Sequence, residues 1–279
     1  SGIYNYQGEM GNIINTGVIS GTGYGIDNFS GKMGNIINTG IISGSGYGIY
    51  NNKYNADSEI KNIKNTGVIS GSGSGIYNYQ GEMGNIINTG VISGYSYSSG
   101  YGIYNSQGTM GDITNTGVIS GSDYGIGNYK YYVDSEIKNI RNAGVIYGKD
   151  NAIMNYSGTI GTVNNYGILV NGKDQDVNSG VNPNNYGLII QGGSVVSQET
   201  GGEQDILFDK DGKEVKRKMT IKNEIGSNSF TGNENDSILN ALKDTYNVIG
   251  TNNKVTGSII NAYGTAVVFG AADNKLGTE

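Results

Sequence analysis

Histidine and cysteine are both absent from the 279 residues, so Ser–His, Cys–His and thiolate or imidazole metal chemistry are closed to this chain. Carboxylates are what remain. Asp57 and Glu59 recur as Asp134 and Glu136 in two copies of DSEIKNI. The copies lie three repeats apart, on the order of 14 Å if each repeat is one turn of stacked strand, too far to share one ion. Asp209 to Gly212 reads DKDG, like the opening of a calcium loop, but the twelfth position, where a bidentate Glu belongs, is Thr220. DKDG is therefore expected to be a plain turn. No G-x-S-x-G or P-loop occurs. The residues point to no catalytic group, no metal and no cofactor.

The other chemistry on offer is recognition. Tyrosine occurs 22 times, and an exposed tyrosine among Asn, Ser and Gly gives contact area at low entropic cost. The candidate contact residues are Tyr95, Tyr97, Tyr101, Tyr129, Tyr131 and Tyr132, all in or beside segments that vary in length between repeats. Ice binding would ask for broad rows of Thr, and only Thr16, Thr39, Thr66, Thr89 and Thr116 form one. A net charge of −6 and a pI near 4.8 argue against nucleic acid and anionic membrane surfaces. No run approaches the ~20 apolar residues of a membrane span. Without cysteine there is no disulfide framework either.

These residues are positioned by a repeat. Equivalent starts fall at Gly2, Gly25, Gly48, Gly75, Gly102, Gly125 and Ala152, with spacings of 23, 23, 27, 27, 23 and 27 residues. A unit of this length cannot bury its own apolar side chains, so copies must stack as a solenoid. Ile3, Ile26, Ile49, Ile76, Ile103, Ile126 and Ile153 form one column, followed two residues later by Asn5, Asn28, Asn51, Asn78, Asn105, Asn128 and Asn155. Ile13, Ile36, Ile63, Ile86, Ile113, Ile140 and Val163 form a second, followed by Asn15, Asn38, Asn65, Asn88, Asn115, Asn142 and Asn165. A third runs from Ile19 to Leu169. Three apolar columns predict an all-β parallel β-helix with about three short strands per 23–27-residue coil. The Asn columns are expected to be structural ladders, since each amide can donate and accept between coils.

The positions between the columns, such as Tyr4, Asp27, Tyr50, Tyr77, Tyr104, Gly127 and Met154, drift and are expected to face solvent. The glycine column from Gly17 to Gly167 is expected at a corner requiring positive φ or close backbone approach. Length changes fall at Asn52–Ser58, Tyr95–Tyr101 and Tyr129–Ser135, which are expected loops. Regular coils are assigned to 1–192, a hairpin excursion centred on Ile206–Met219 to 193–222, and resumed, less regular coils to 223–279, all in one continuous body. Asp236–Tyr246 reads as a short helix capped by Asp236. The chain opens at Ser1 inside a repeat, as expected of a fragment of something longer.

NTGVISG at Asn15–Gly21, its copies, and SIINAYGTAVVFG at Ser258–Gly270 resemble the passenger region of large type V autotransporters of Gram-negative bacteria. The resemblance covers nearly the whole chain. It implies a right-handed β-helix, exported through the outer membrane by a C-terminal barrel and displayed on the cell surface, often as an adhesin or other virulence factor. The resulting expectation is a non-enzymatic stalk or adhesin segment, a monomeric rod that attaches to a host or bacterial cell-surface protein or glycan. A polysaccharide lyase or glycosidase, or a trimeric phage tail-spike, are the alternatives.

Overall fold

A computed structural model of the chain describes residues 1–96, 99–173, 180–185 and 188–191, together with short strands between 194 and 276. The first coil shows the plan. Strands Ile3–Tyr6, Glu9–Met10, Ile13–Asn15 and Val18–Gly21 follow one another, and each pairs in parallel with its equivalent in the next coil. Three sheets result, a parallel β-helix of about eight turns. The first sheet has seven strands, ending at Asn151–Tyr156. The third runs from Val18–Gly21 to Leu188–Gln191 and is closed by the antiparallel strand Ser194–Gln198.

The register matches the repeat residue for residue: Ile3 pairs Ile26, Asn5 pairs Asn28, and Ile26 pairs Ile49. The isoleucines of all three columns are buried from the second coil on, nesting like on like. Each fully buried Ile contributes roughly 1.5–3 kcal/mol.

The second sheet departs from expectation by splitting in two. Met10, Met33, Ile60, Met83, Met110, Ile137 and Ile160 form a fourth inward column on two-residue strands beside the Ile-x-Asn strands. In Glu136–Asn142 and Thr159–Asn165 the two segments fuse into one strand. A coil thus has three faces but four apolar columns.

Both predicted Asn ladders are continuous. Asn5 Nδ2 donates to Asn28 Oδ1 at 2.7 Å, Asn28 to Asn51 at 2.8 Å, and so on to Asn155; the second runs from Asn15 to Asn165 and onward to Asn185. Every amide points the same way along the axis. The spare N–H groups reach backbone carbonyls, as Asn38 does at Gly40 and Val68, so one side chain ties its own corner to the coil above.

The glycine corner is explained by close approach rather than by φ. A Cβ on Gly40, Gly67, Gly90, Gly117, Gly144 or Gly167 would lie 2.0–2.2 Å from the carbonyl oxygen of the preceding coil's glycine. Left-handed backbone occurs elsewhere, at Gln7, Ser30, Gln80, Gln107 and Ser157, with φ of 53–58°, where the chain leaves the first sheet. The two coils missing from this series carry insertions at that point.

Toward the C-terminus, Gln204–Phe208 and Glu214–Arg217 pair antiparallel, forming the expected hairpin; its Asp209–Gly212 turn and Thr220 lie outside the described residues. The helix expected over 236–246 is not formed at 238–240, and its other residues, Asp236 included, lie outside the described residues. Ile238–Asn240 is a strand, paired in parallel with Ile259–Asn261. The reason is that Ile238-Leu239-Asn240 is another Ile-x-Asn unit, and stacking on its copy outweighs local helix propensity. Two more parallel pairs, Asn247–Val248 with Val268–Phe269 and Lys254–Val255 with Lys275–Leu276, share the same 21-residue offset. Parallel strand pairs at one fixed offset thus follow the hairpin among the described residues.

Candidate functional site

The outer face of the first sheet carries a column expected to be solvated, and the structure corrects that expectation. Tyr50, Tyr77 and Tyr104 are half-buried, with ring centroids 5.1 and 4.9 Å apart and nearly parallel planes. Beside them Tyr24 stacks on Tyr47 at 5.5 Å, and Tyr101 on Tyr104 at 4.2 Å. Burial raises the phenol pKa values of Tyr50, Tyr77 and Tyr101. Identical rings one coil apart satisfy each other's faces, so this stack braces the sheet.

Asp27 interrupts the column between Tyr4 and Tyr50, its pairing partners. It is buried, its Oδ1 has no hydrogen-bond partner, and desolvation pushes its pKa up to about 6 against the opposing pull of the Ser1 ammonium and hydroxyl.

Two insertions at the corner beyond this face are built alike. Lys53–Ser58 and Lys130–Ser135 share the pattern K-Y-x-x-D-S. Each is closed by an ion pair, Lys53 Nζ to Asp57 at 2.8 Å and Lys130 Nζ to Asp134 at 2.5 Å. The Lys53 ammonium holds the Asp57 carboxyl below the usual range. The base of each loop is a buried serine locked into the first Asn ladder. Ser58 Oγ donates to Asn51 Oδ1 and Ser135 Oγ to Asn128 Oδ1, both at 2.8 Å, while Asn28 and Asn105 donate to those hydroxyls at 3.0 Å. Aromatics stand at the tips. Tyr54 is 71% exposed, Tyr131 59% and Tyr132 81%.

The candidate tyrosines therefore separate. Tyr131 and Tyr132 pack edge to face at 4.0 Å on one loop tip, and Tyr95 is exposed on the middle insertion. Tyr101 and Tyr129 belong to stacks, Tyr129 lying 4.6 Å from Tyr156. Tyr97 lies outside the described residues. Tyr54 was not among the candidates, although it is the counterpart of Tyr131 in the duplicated block.

Of the recurring acids, Asp57 and Asp134 are held by lysines. Glu59 instead pairs in register with Glu82 on the next coil, in an open trough of about 370 Å³ that also includes Glu136, Lys61 and Lys138. Among the described residues no group of three acidic side chains is placed to hold a metal ion. A third polar row, on the surface, escaped sequence reasoning: Asn12, Asn35, Asn62, Asn85, Asp112 and Asn139 bond coil to coil through side chains and backbone N–H groups.

Comparison with known proteins finds no matching family model, no similar curated protein and no similar solved structure.

Proposed function

We propose that the chain is a non-enzymatic β-helical stalk or adhesin segment, displayed on a bacterial cell surface and attaching it to a protein or glycan of another surface. One observation carries this reading. Two copies of the same loop, three coils apart or ~14 Å, hold exposed tyrosines on bases locked into the core by Ser58 and Ser135. Exposed aromatics on a rigid support are suited to recognition, because little freedom is lost on contact. The sequence resemblance to autotransporter passengers supports the surface location.

The test is attachment of the purified chain to cells and immobilised glycans, with the loops at 52–58, 95–101 and 129–135 and the 206–219 hairpin shortened together. Attachment should vanish while the strand content measured by circular dichroism is kept. Attachment that survives all four changes overturns the contact assignment. Release of sugar fragments from a polysaccharide panel would favour the enzyme, with Glu59 and Glu82 as the acids to mutate, and a trimeric mass in solution would favour the tail-spike.

A further inference from the structure

The last residue of each first-sheet strand belongs to a row that runs in register from Tyr6 to Tyr156. Along it tyrosine faces another residue type, Tyr6 on Phe29 and Tyr79 between Asn52 and Ser106, until the last step. There two tyrosines meet, Tyr129 and Tyr156. Their ring centroids lie 4.6 Å apart with planes 10° from parallel, the shortest approach of tyrosines on neighbouring coils among the described residues. Parallel strands hold the two backbones ~4.8 Å apart, and the Lys130 N–H bonds the Tyr156 carbonyl at 2.9 Å. The rings are therefore kept together by the coils that carry them.

The pair is also open to solution chemistry. Tyr156 is 53% exposed. Tyr129 lies 6.3 Å from Tyr131, which packs at 4.0 Å on Tyr132 at the exposed loop tip, so four rings form a run from the tip to the sheet. The stack of Tyr50, Tyr77 and Tyr104 is the competing place for ring chemistry. Burial raises all three of its phenol pKa values and so opposes the loss of the proton that accompanies oxidation of a phenol. A covalent link between coils cannot be a disulfide, since the chain has no cysteine.

We infer that Tyr129 and Tyr156 are a site of oxidative modification, where a one-electron oxidant joins the two rings as dityrosine and staples one coil to the next. Each phenol gives an electron to the oxidant and its proton to water, leaving a tyrosyl radical. The two radicals combine through a carbon–carbon bond between positions ortho to the hydroxyls, and the hydrogens on those carbons return to the oxygens. With hydrogen peroxide as oxidant and a haem peroxidase as catalyst, the pair loses two hydrogen atoms in all and the peroxide is reduced to two waters. The exposed Tyr156 can rotate to bring its ortho carbon onto the facing ring. The new bond closes a loop of 27 residues, the kind of long closure by which a cross-link restricts the unfolded chain.

The experiment treats the whole chain, in dilute solution, with hydrogen peroxide and a haem peroxidase. Linked peptides are then located by digestion and tandem mass spectrometry, and the melting temperature of the product is measured. A monomer lighter by two hydrogens should form, with Tyr129–Tyr156 as its most abundant link. Tyr129→Phe and Tyr156→Phe, which keep the ring and remove the phenol, should each lose that link, while Tyr79→Phe leaves its yield unchanged. The linked native chain should melt at least ~5 °C above Tyr156→Phe treated in the same way. Linkage confined to other tyrosines, or cross-linking only between molecules, overturns the site. A Tyr129–Tyr156 link that leaves the melting temperature unchanged overturns the staple.

Discussion

Ser58 Oγ donates a 2.8 Å hydrogen bond to the buried Asn51 Oδ1, seven residues back along the chain, and so fastens a surface loop to the amide ladder inside the coil. Ser135 repeats the bond at Asn128. Replacing Ser58 with Ala should cost about 1 kcal/mol in denaturant unfolding and open the 52–58 loop to limited proteolysis. The Ser58→Ala, Ser135→Ala double variant should lose the sum, since sites three coils apart are independent.

The ladder itself is more sensitive. Asn78 accepts from Asn51 at 2.8 Å and donates to Asn105 at 2.9 Å, fully buried. Asn78→Ala breaks both links and leaves polar atoms unpaired, at a cost of about 2–3 kcal/mol. Asn12→Ala, in the exposed row, should change stability by less than ~0.5 kcal/mol. Urea midpoints of the two variants decide between a structural ladder and a decorative one.

Coil spacing can be tested at the glycines. A Cβ on Gly90 would meet the Gly67 carbonyl oxygen at 2.1 Å, whereas one on Gly17 meets nothing within 4 Å. Gly90→Ala should destabilise by about 3 kcal/mol or more, and Gly17→Ala by no more than ~0.5 kcal/mol. Equal melting temperatures for the two would contradict the close approach of the coils.

Asp27 gives a pH signature. Its folded pKa is raised from 3.8 to about 6, so between these values the folded chain keeps a proton that the unfolded chain has lost. The stability this proton contributes is present below the unfolded pKa and is lost as pH rises through the folded one. Tyr4, Tyr50 and the Ser1 ammonium are the titratable groups around it. Asp27→Asn, which resembles the protonated form, should match the native chain near pH ~4 and exceed its stability near pH ~7. A difference that is constant across that range would contradict burial of the carboxylate.

Much of this architecture was legible in the residues. Ile and Asn recur at fixed offsets because each must nest on its own copy, and a ladder tolerates no substitute; those columns carried the coils and their register, while alternation on either side of Asp209–Gly212 carried the hairpin. The Met10 column was harder to read, since a two-residue strand has no alternation and methionine and isoleucine exchange freely along it. Tyr50, Tyr77 and Tyr104 were misplaced for a different reason. Alternation assigns them to the outside, correctly, but does not reveal that rings one coil apart bury one another. In Ile238-Leu239-Asn240 a local helix reading overrode a motif already known from the coils. Tyr54 could have been found by laying the two DSEIKNI blocks over each other.

The most direct test of the account separates the loop tyrosines from the stacked ones. Attachment to cells should be measured for the native chain, for Tyr54→Ala with Tyr131→Ala and Tyr132→Ala, and for Tyr77→Phe in the stack. Loss of attachment in the triple variant at an unchanged melting temperature, with Tyr77→Phe attaching like the native chain, is the predicted result. Undiminished attachment by the triple variant would contradict the claim that recognition lies in the loops and not in the repeated columns.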